Sequence, residues 1–117
     1  MTAAIRFGSI VWTEMADGNG IRKARPVVVV TTDDRIAQPG RIEVVAITSQ
    51  VPDPLPSDHV LLSWHPQGHP RTGLNRKSAA VCSWVARIST TDVSSVAGRI
   101  SGPTLLTIMS KILAPPP

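Results

Sequence analysis

Four consecutive valines, Val27 to Val30, follow Pro26 in the run PVVVVTT. β-Branched side chains are stiff at χ1 and pack well on a pleated surface, so residues 26–32 are expected as a strand at the centre of a sheet. Proline can open a strand but supplies no ladder donor within one, so Pro26 is expected to mark its start. Four more strands are read at residues 8–13 (GSIVWT), 41–49 (RIEVVAITS), 59–64 (HVLLSW) and 78–88 (SAAVCSWVARI), with a short sixth piece at 98–101. Between them lie a long loop at 14–24, a turn closing a hairpin at 33–40, an extended proline-rich segment at 51–56 and a polar, basic loop at 65–77. Two helices are expected. One is short, over 91–97, with Asp92 in its first turn. The other spans 103–113, where Leu105, Leu106, Ile108, Met109, Ile112 and Leu113 form one apolar face. Ser101 or Gly102 can cap it, Pro103 fits its first turn and the three final prolines cannot extend it. Short strands closed by one amphipathic helix predict a mainly β domain, a strongly bent sheet or barrel, over residues 1–117.

Composition narrows the class of function. A 117-residue chain with 42% hydrophobic residues forms one core. The single cysteine, Cys82, excludes an internal disulfide and fits a reducing compartment. No apolar run reaches the ~18 residues of a membrane span, and the N-terminus does not resemble a secretory signal, so the expected location is cytoplasmic. The net charge of +4, carried mostly by arginine, favours a polyanion or an acidic protein as partner. Aromatic residues make up only 3%, which argues against a stacking platform of interleaved aromatics.

Most candidate chemistry dissolves on inspection. His65 and His69 have an H-x3-H spacing, but Pro66, Gly68 and Pro70 forbid the helix that would make it a metal site, and solvated loop histidines are expected. Cys82 lies in an apolar strand, where a buried inert thiol is expected. Gly18-Asn19-Gly20 lacks the spacing of a phosphate cradle, and Asp33-Asp34 suits a turn. What remains is Arg25, immediately before the valine run, and Thr48, closing the run Val44 to Ile47. If those runs are neighbours, guanidinium and hydroxyl reach one rim of the sheet. Together they can bind a phosphate and stabilise a phosphoryl transition state, although a solvated end charge and a β-forming threonine explain the same spacing.

The order Gly8-x-Ile10-Val11-Trp12, then Arg25-Pro26 with the valines, then Val44 to Gln50, Thr72-Gly73-Leu74, the basic turn Asn75 to Ser78, a strand and an amphipathic helix resembles the PemK/MazF family of toxin–antitoxin ribonucleases. The resemblance runs from about residue 6 to 113. It implies an SH3-like barrel that forms a homodimer, acts as a metal-independent endoribonuclease on single-stranded RNA without a cofactor, and is covered by the acidic tail of a cognate antitoxin. It assigns catalysis to Arg25 and Thr48, and RNA contacts to Asn19, Arg22, Lys23, Arg71, Arg76 and Lys77. The implied reaction is attack by the ribose 2′-hydroxyl on the adjacent phosphate. Arginine is a poor base, and His59, His65 and His69 titrate in a useful range with nothing in the sequence to place one at the site.

Two departures from the family pattern stand in the late strand. Ser83 replaces an aspartate and Ala86 an arginine, with Arg87 one position further on, a shift that turns a strand side chain to the other face. Trp84 replaces a polar residue and is expected in packing, with room beside the RNA groove as the alternative. Trp12 and Trp64 are expected in the core or a dimer interface. Two other readings follow from the same resemblance. One is a non-enzymatic toxin acting on gyrase, as relatives with a Trp-Gly-Ile type tail do, whereas this chain ends in ILAPPP. The other is a catalytically silent barrel that retains antitoxin or nucleic-acid binding.

Overall fold

The computed structural model describes residues 4–16 and 19–113. Its six strands are β1 (Ser9–Ala16), β2 (Arg22–Val29), β3 (Arg41–Thr48), β4 (His59–Leu62), β5 (Ser78–Ser89) and β6 (Val93–Arg99), followed by the helix α1 (Gly102–Leu113). Every pairing is antiparallel, in the order β4-β5-β3-β2-β1-β6, and the sheet curls into a half-barrel. The valine run lies at its centre, with Val27, Val28 and Val29 fully buried. Among the described residues, no helix is long and apolar enough to cross a membrane.

Three sequence expectations are corrected. Pro26 sits inside β2, opposite Trp12, and does not begin the strand. The ladder from β2 to β3 runs only over Val27 to Val29, so at Pro26 one side of the strand is open and a missing N–H costs no partner there. The expected loop at 14–24 is largely hairpin: Glu14, Met15 and Ala16 pair with Ala24, Lys23 and Arg22. The short helix expected at 91–97 is a 3-10 turn (Thr90–Asp92) leading into β6. Val93 and Val96 turn into the core there, and Ser94 Oγ donates to the Trp12 carbonyl at 3.1 Å. Pairing with β1 outweighs the weak helical pattern of a seven-residue stretch.

The two faces of the sheet carry separate apolar clusters. The first joins Ile10, Val28, Val45, Ile47, Leu62 and Ala80 to Leu105 and Ile108 of α1. Ser101 caps the helix, its Oγ accepting the Thr104 N–H at 3.3 Å. Of the predicted helical stripe, Leu106 and Leu113 instead face outward, 70% and 74% exposed. Gly8 admits the helix closely: its φ is +88°, and a Cβ there would stand 3.0 Å from Leu105. The second cluster fills the other face with Val11, Met15, Val27, Val29, Ile42 and Val44, and takes in Trp84, Ala86 and Ile88.

One irregularity decides which face β5 serves. Opposite the two-residue step from Val45 to Ile47 on β3, the partner on β5 moves five residues, from Val85 to Ala80. The three extra residues on β5 are an odd number, so the strand's facing reverses across the bulge. Ala80 and Cys82 belong to the first cluster, while Trp84, two positions on, belongs to the second.

Candidate functional site

An open groove of about 630 Å³ lies where Trp12 of β1, the first half of β2 and the end of β3 meet the loop before β5. Its floor is apolar: Trp12, Pro26 and Ile47 lie on successive strands. Around it stand Lys23 and Arg25 from β2, Thr48 from β3 with Ser49 and Gln50 after it, and Asn75, Arg76 and Ser78 from the loop side. Arg25 and Thr48 belong together because β2 and β3 are neighbours. The β2–β3 ladder ends at the pair Val27 and Ala46, and Arg25 and Thr48, each two residues beyond it, line the same groove.

Each side chain is held differently. Arg25 is half-buried, opposite Thr13 in the hairpin, and its guanidinium carbon lies 5.3 Å from the centre of the Trp84 ring. Thr48 Oγ1 accepts the Gln50 N–H at 3.1 Å and lies 3.4 Å from the Gln50 carbonyl. That second distance is longer than a good O–H···O bond, so the hydroxyl proton is available to an incoming acceptor. Lys23 and Arg76 are exposed.

The loop bearing Asn75 and Arg76 is anchored by its histidines. His69 Nδ1 accepts the N–H groups of Arg71 and Thr72 at 3.1 and 3.3 Å, and His65 Nδ1 accepts that of Gln67 at 3.1 Å. Thr72 Oγ1 donates to the Ser63 carbonyl at 2.7 Å, and the Arg71 carbonyl accepts the Arg99 N–H at 2.7 Å. Gly98 permits this last contact, since a Cβ there would collide with the Arg71 and Thr72 backbone. The two histidines expected to be solvated therefore shape the loop. His59 holds the Asp58 carboxylate through Nδ1 at 2.7 Å.

Of the residues expected to contact RNA, Lys23 and Arg76 line the groove beside Arg25 and Thr48; Asn19, Arg22, Arg71 and Lys77 do not. Arg22 instead borders a second cavity of about 380 Å³ with Glu14 and Asp92. No His, Asp or Glu lines the main groove among the described residues. Trp12 is half-buried on the groove floor and Trp64 is 42% exposed, so neither takes the core position that was one of the two expected of it. Gln50 and Asn75 also line the groove; both lie in stretches quoted for the family resemblance, where neither was given a site role.

The two departures in the late strand have structural partners. Ser83 Oγ donates to Asp58 Oδ2 at 2.5 Å, and Asp58 also bonds His59. The Ser83 hydroxyl, and after it His59, hold the Asp58 carboxyl below the usual carboxylate range. Arg87 reaches Glu43 at 3.4 Å on the exposed side and is not part of the groove. Cys82 is buried, and its burial pushes the thiol up.

Comparison with known proteins places this geometry in context. A family profile described as "PemK-like, MazF-like toxin of type II toxin-antitoxin system" matches residues 6–114. No match was found among curated protein sequences. Among solved structures, an endoribonuclease from a mycobacterial species is similar with a TM-score of 0.68 at 14% identity, covering 96% of this chain and 90% of its own. A mycobacterial endoribonuclease in complex with its cognate antitoxin has a TM-score of 0.67 at 17% identity, with coverage of 98% and 100%. A MazE-MazF complex from Deinococcus radiodurans has a TM-score of 0.69 at 14% identity, with coverage of 94% and 92%. At these identities the structural likeness establishes the fold.

Proposed function

The chain belongs to the family of PemK-like, MazF-like toxins of type II toxin–antitoxin systems, and on that premise we propose that it arrests growth by cutting single-stranded RNA in the groove beside the first half of β2 and the end of β3. The observation that carries this reading is the gathering of Lys23, Arg25, Thr48 and Arg76 around one open groove. Three cations beside a hydroxyl suit a phosphodiester, and the openness suits a strand that is not paired.

The reaction is an internal transfer. The 2′-oxygen forms a bond to phosphorus as the bond to the 5′-oxygen breaks, giving a 2′,3′-cyclic phosphate and a 5′-hydroxyl. Arg25 donates to the non-bridging oxygens, whose charge grows in the pentacoordinate transition state. Thr48, its hydroxyl proton available, orients one of those oxygens. Lys23 and Arg76 hold the flanking backbone. With no imidazole or carboxylate among the described lining residues, the 2′-proton passes to solvent and the 5′-oxygen takes one back from it.

The same reading includes a cognate antitoxin whose acidic segment occupies the basic groove; two similar structures are complexes of a toxin with its antitoxin. It also includes a homodimer, which would cover exposed apolar side chains such as Leu61 and Trp64. The test is cleavage of a long single-stranded RNA by purified protein in EDTA. Native protein is expected to cut, and Arg25→Ala to lose about 10²- to 10³-fold in rate while remaining folded. A folded native protein that leaves the RNA intact would overturn the reading.

A further inference from the structure

We infer that Trp84 is a positioning residue for the phosphate-binding guanidinium: its ring holds Arg25 by the face and leaves the guanidinium edge to the phosphate. The inference rests on the ribonuclease reading of the groove and names a residue that the groove lining itself does not include.

The geometry begins with the bulge in β5. Without the three extra residues, Trp84 would share the face of Ala80 and Cys82, under the helix. With them, it turns onto the second cluster, beside Ala86 and Ile88. On β2, Val27 and Val29 face that cluster, and the alternation carries Arg25 to the same side. Arg25 and Trp84 therefore meet at the end of the apolar interior, 5.3 Å from guanidinium carbon to ring centre, within the range of a cation–π contact.

The contact suits the chemistry asked of Arg25. A guanidinium binds phosphate through N–H groups in its own plane, whereas an aromatic ring attracts it through its face. The two demands do not compete. The ring is half-buried and packed among apolar neighbours, so it restricts the arginine's rotamers before substrate arrives. Orientation prepared in advance assists the transition state more than the initial encounter, so kcat should fall before KM rises.

The test compares side chains at one position. Trp84→Phe keeps a ring, Trp84→Leu and Trp84→Met keep apolar volume without one, and melting temperatures identify which variants are folded. With an RNA that the native protein cuts, the ringless variants are expected to lose about tenfold in kcat with KM within about twofold, while Trp84→Phe keeps most of the rate. In an Arg25→Ala background, Trp84→Leu should bring no further loss. Native-like kcat in a folded ringless variant would overturn the inference. So would Trp84→Phe falling as far as the ringless variants, or a further loss in the Arg25→Ala background.

If the native protein cuts no RNA, the ribonuclease reading fails on its own, and binding decides the role of Trp84. The probe is then a nucleoside–vanadate complex, whose five-coordinate vanadium copies the geometry of the transition state rather than that of the bound RNA. Weaker binding by Trp84→Leu only when Arg25 is present supports positioning for phosphate. Equal binding by native protein and variant, or no binding by either, overturns it.

Discussion

At the scale of single residues, the proposed reaction divides its labour between the charge of Arg25 and the hydroxyl of Thr48. Thr48 keeps its Oγ1 as an acceptor for Gln50 and has only a long contact to offer as donor. Thr48→Val preserves the β-branched shape and removes the hydroxyl, so it should fold normally and lower cleavage about 10-fold or more, measured as kcat at saturating RNA. Asp58 makes a different prediction. Its folded pKa lies below its unfolded one, so the stability it contributes is present above the ordinary carboxylate pKa and is lost as pH falls through the folded value. The carboxylate is 40% exposed, so the contribution is small. Asp58→Asn should flatten the acid side of a plot of melting temperature against pH below about pH 4, and leave the plot near neutrality nearly unchanged. An identical acid limb in the variant would remove Asp58 from the account.

At the scale of elements, the loop before β5 depends on a close approach to β6. Gly98→Ala should destabilise the protein by about 1–3 kcal/mol, because its Cβ would meet backbone that cannot move without breaking the bond from Arg99 to Arg71. Denaturant unfolding measures this, and native stability in the variant would show that the loop has another seat. The elements were unequally legible in the sequence. The valine run, β3, β5 and α1 could be read because dense β-branched or 3.6-periodic patterns leave few alternatives. The course of β6 was hidden because VSSVAGR has only two apolar anchors, and its conformation is settled by β1. The hairpin extension through Arg22 to Ala24 was hidden for a similar reason: Arg22, Lys23 and Ala24 include no β-branched residue, and pairing with β1 holds them in the strand. Of the candidate site, Arg25 and Thr48 were legible because adjacent runs of strand can be seen to pair. The bulge that brings Trp84 to Arg25 was not, since nothing in SAAVCSWVARIS marks where three residues leave the register.

At the scale of the whole molecule, the net charge of +4 acts through the cations that the fold gathers at one groove. On the proposed function, phosphate contacts by Lys23, Arg25 and Arg76 predict that log K for RNA falls with log salt concentration with a slope of about −2, since each contact to a single strand contributes about −0.7. Lys23→Ala should lower the magnitude of that slope by about 0.7, whatever the sequence of the RNA. Binding titrations at several salt concentrations decide it, and an unchanged slope would place Lys23 off the path of the backbone. The contact between Arg71 and Arg99 also bears on how such a chain is made. A ribosome delivers the N-terminal strands first, at about 5–20 residues per second. Arg25 and Thr48 emerge early, but the loop that completes the groove lacks its contact with Arg99 until β6 has followed it out. On the proposed ribonuclease reading, a nascent chain therefore gains its complete groove only after β6 has emerged.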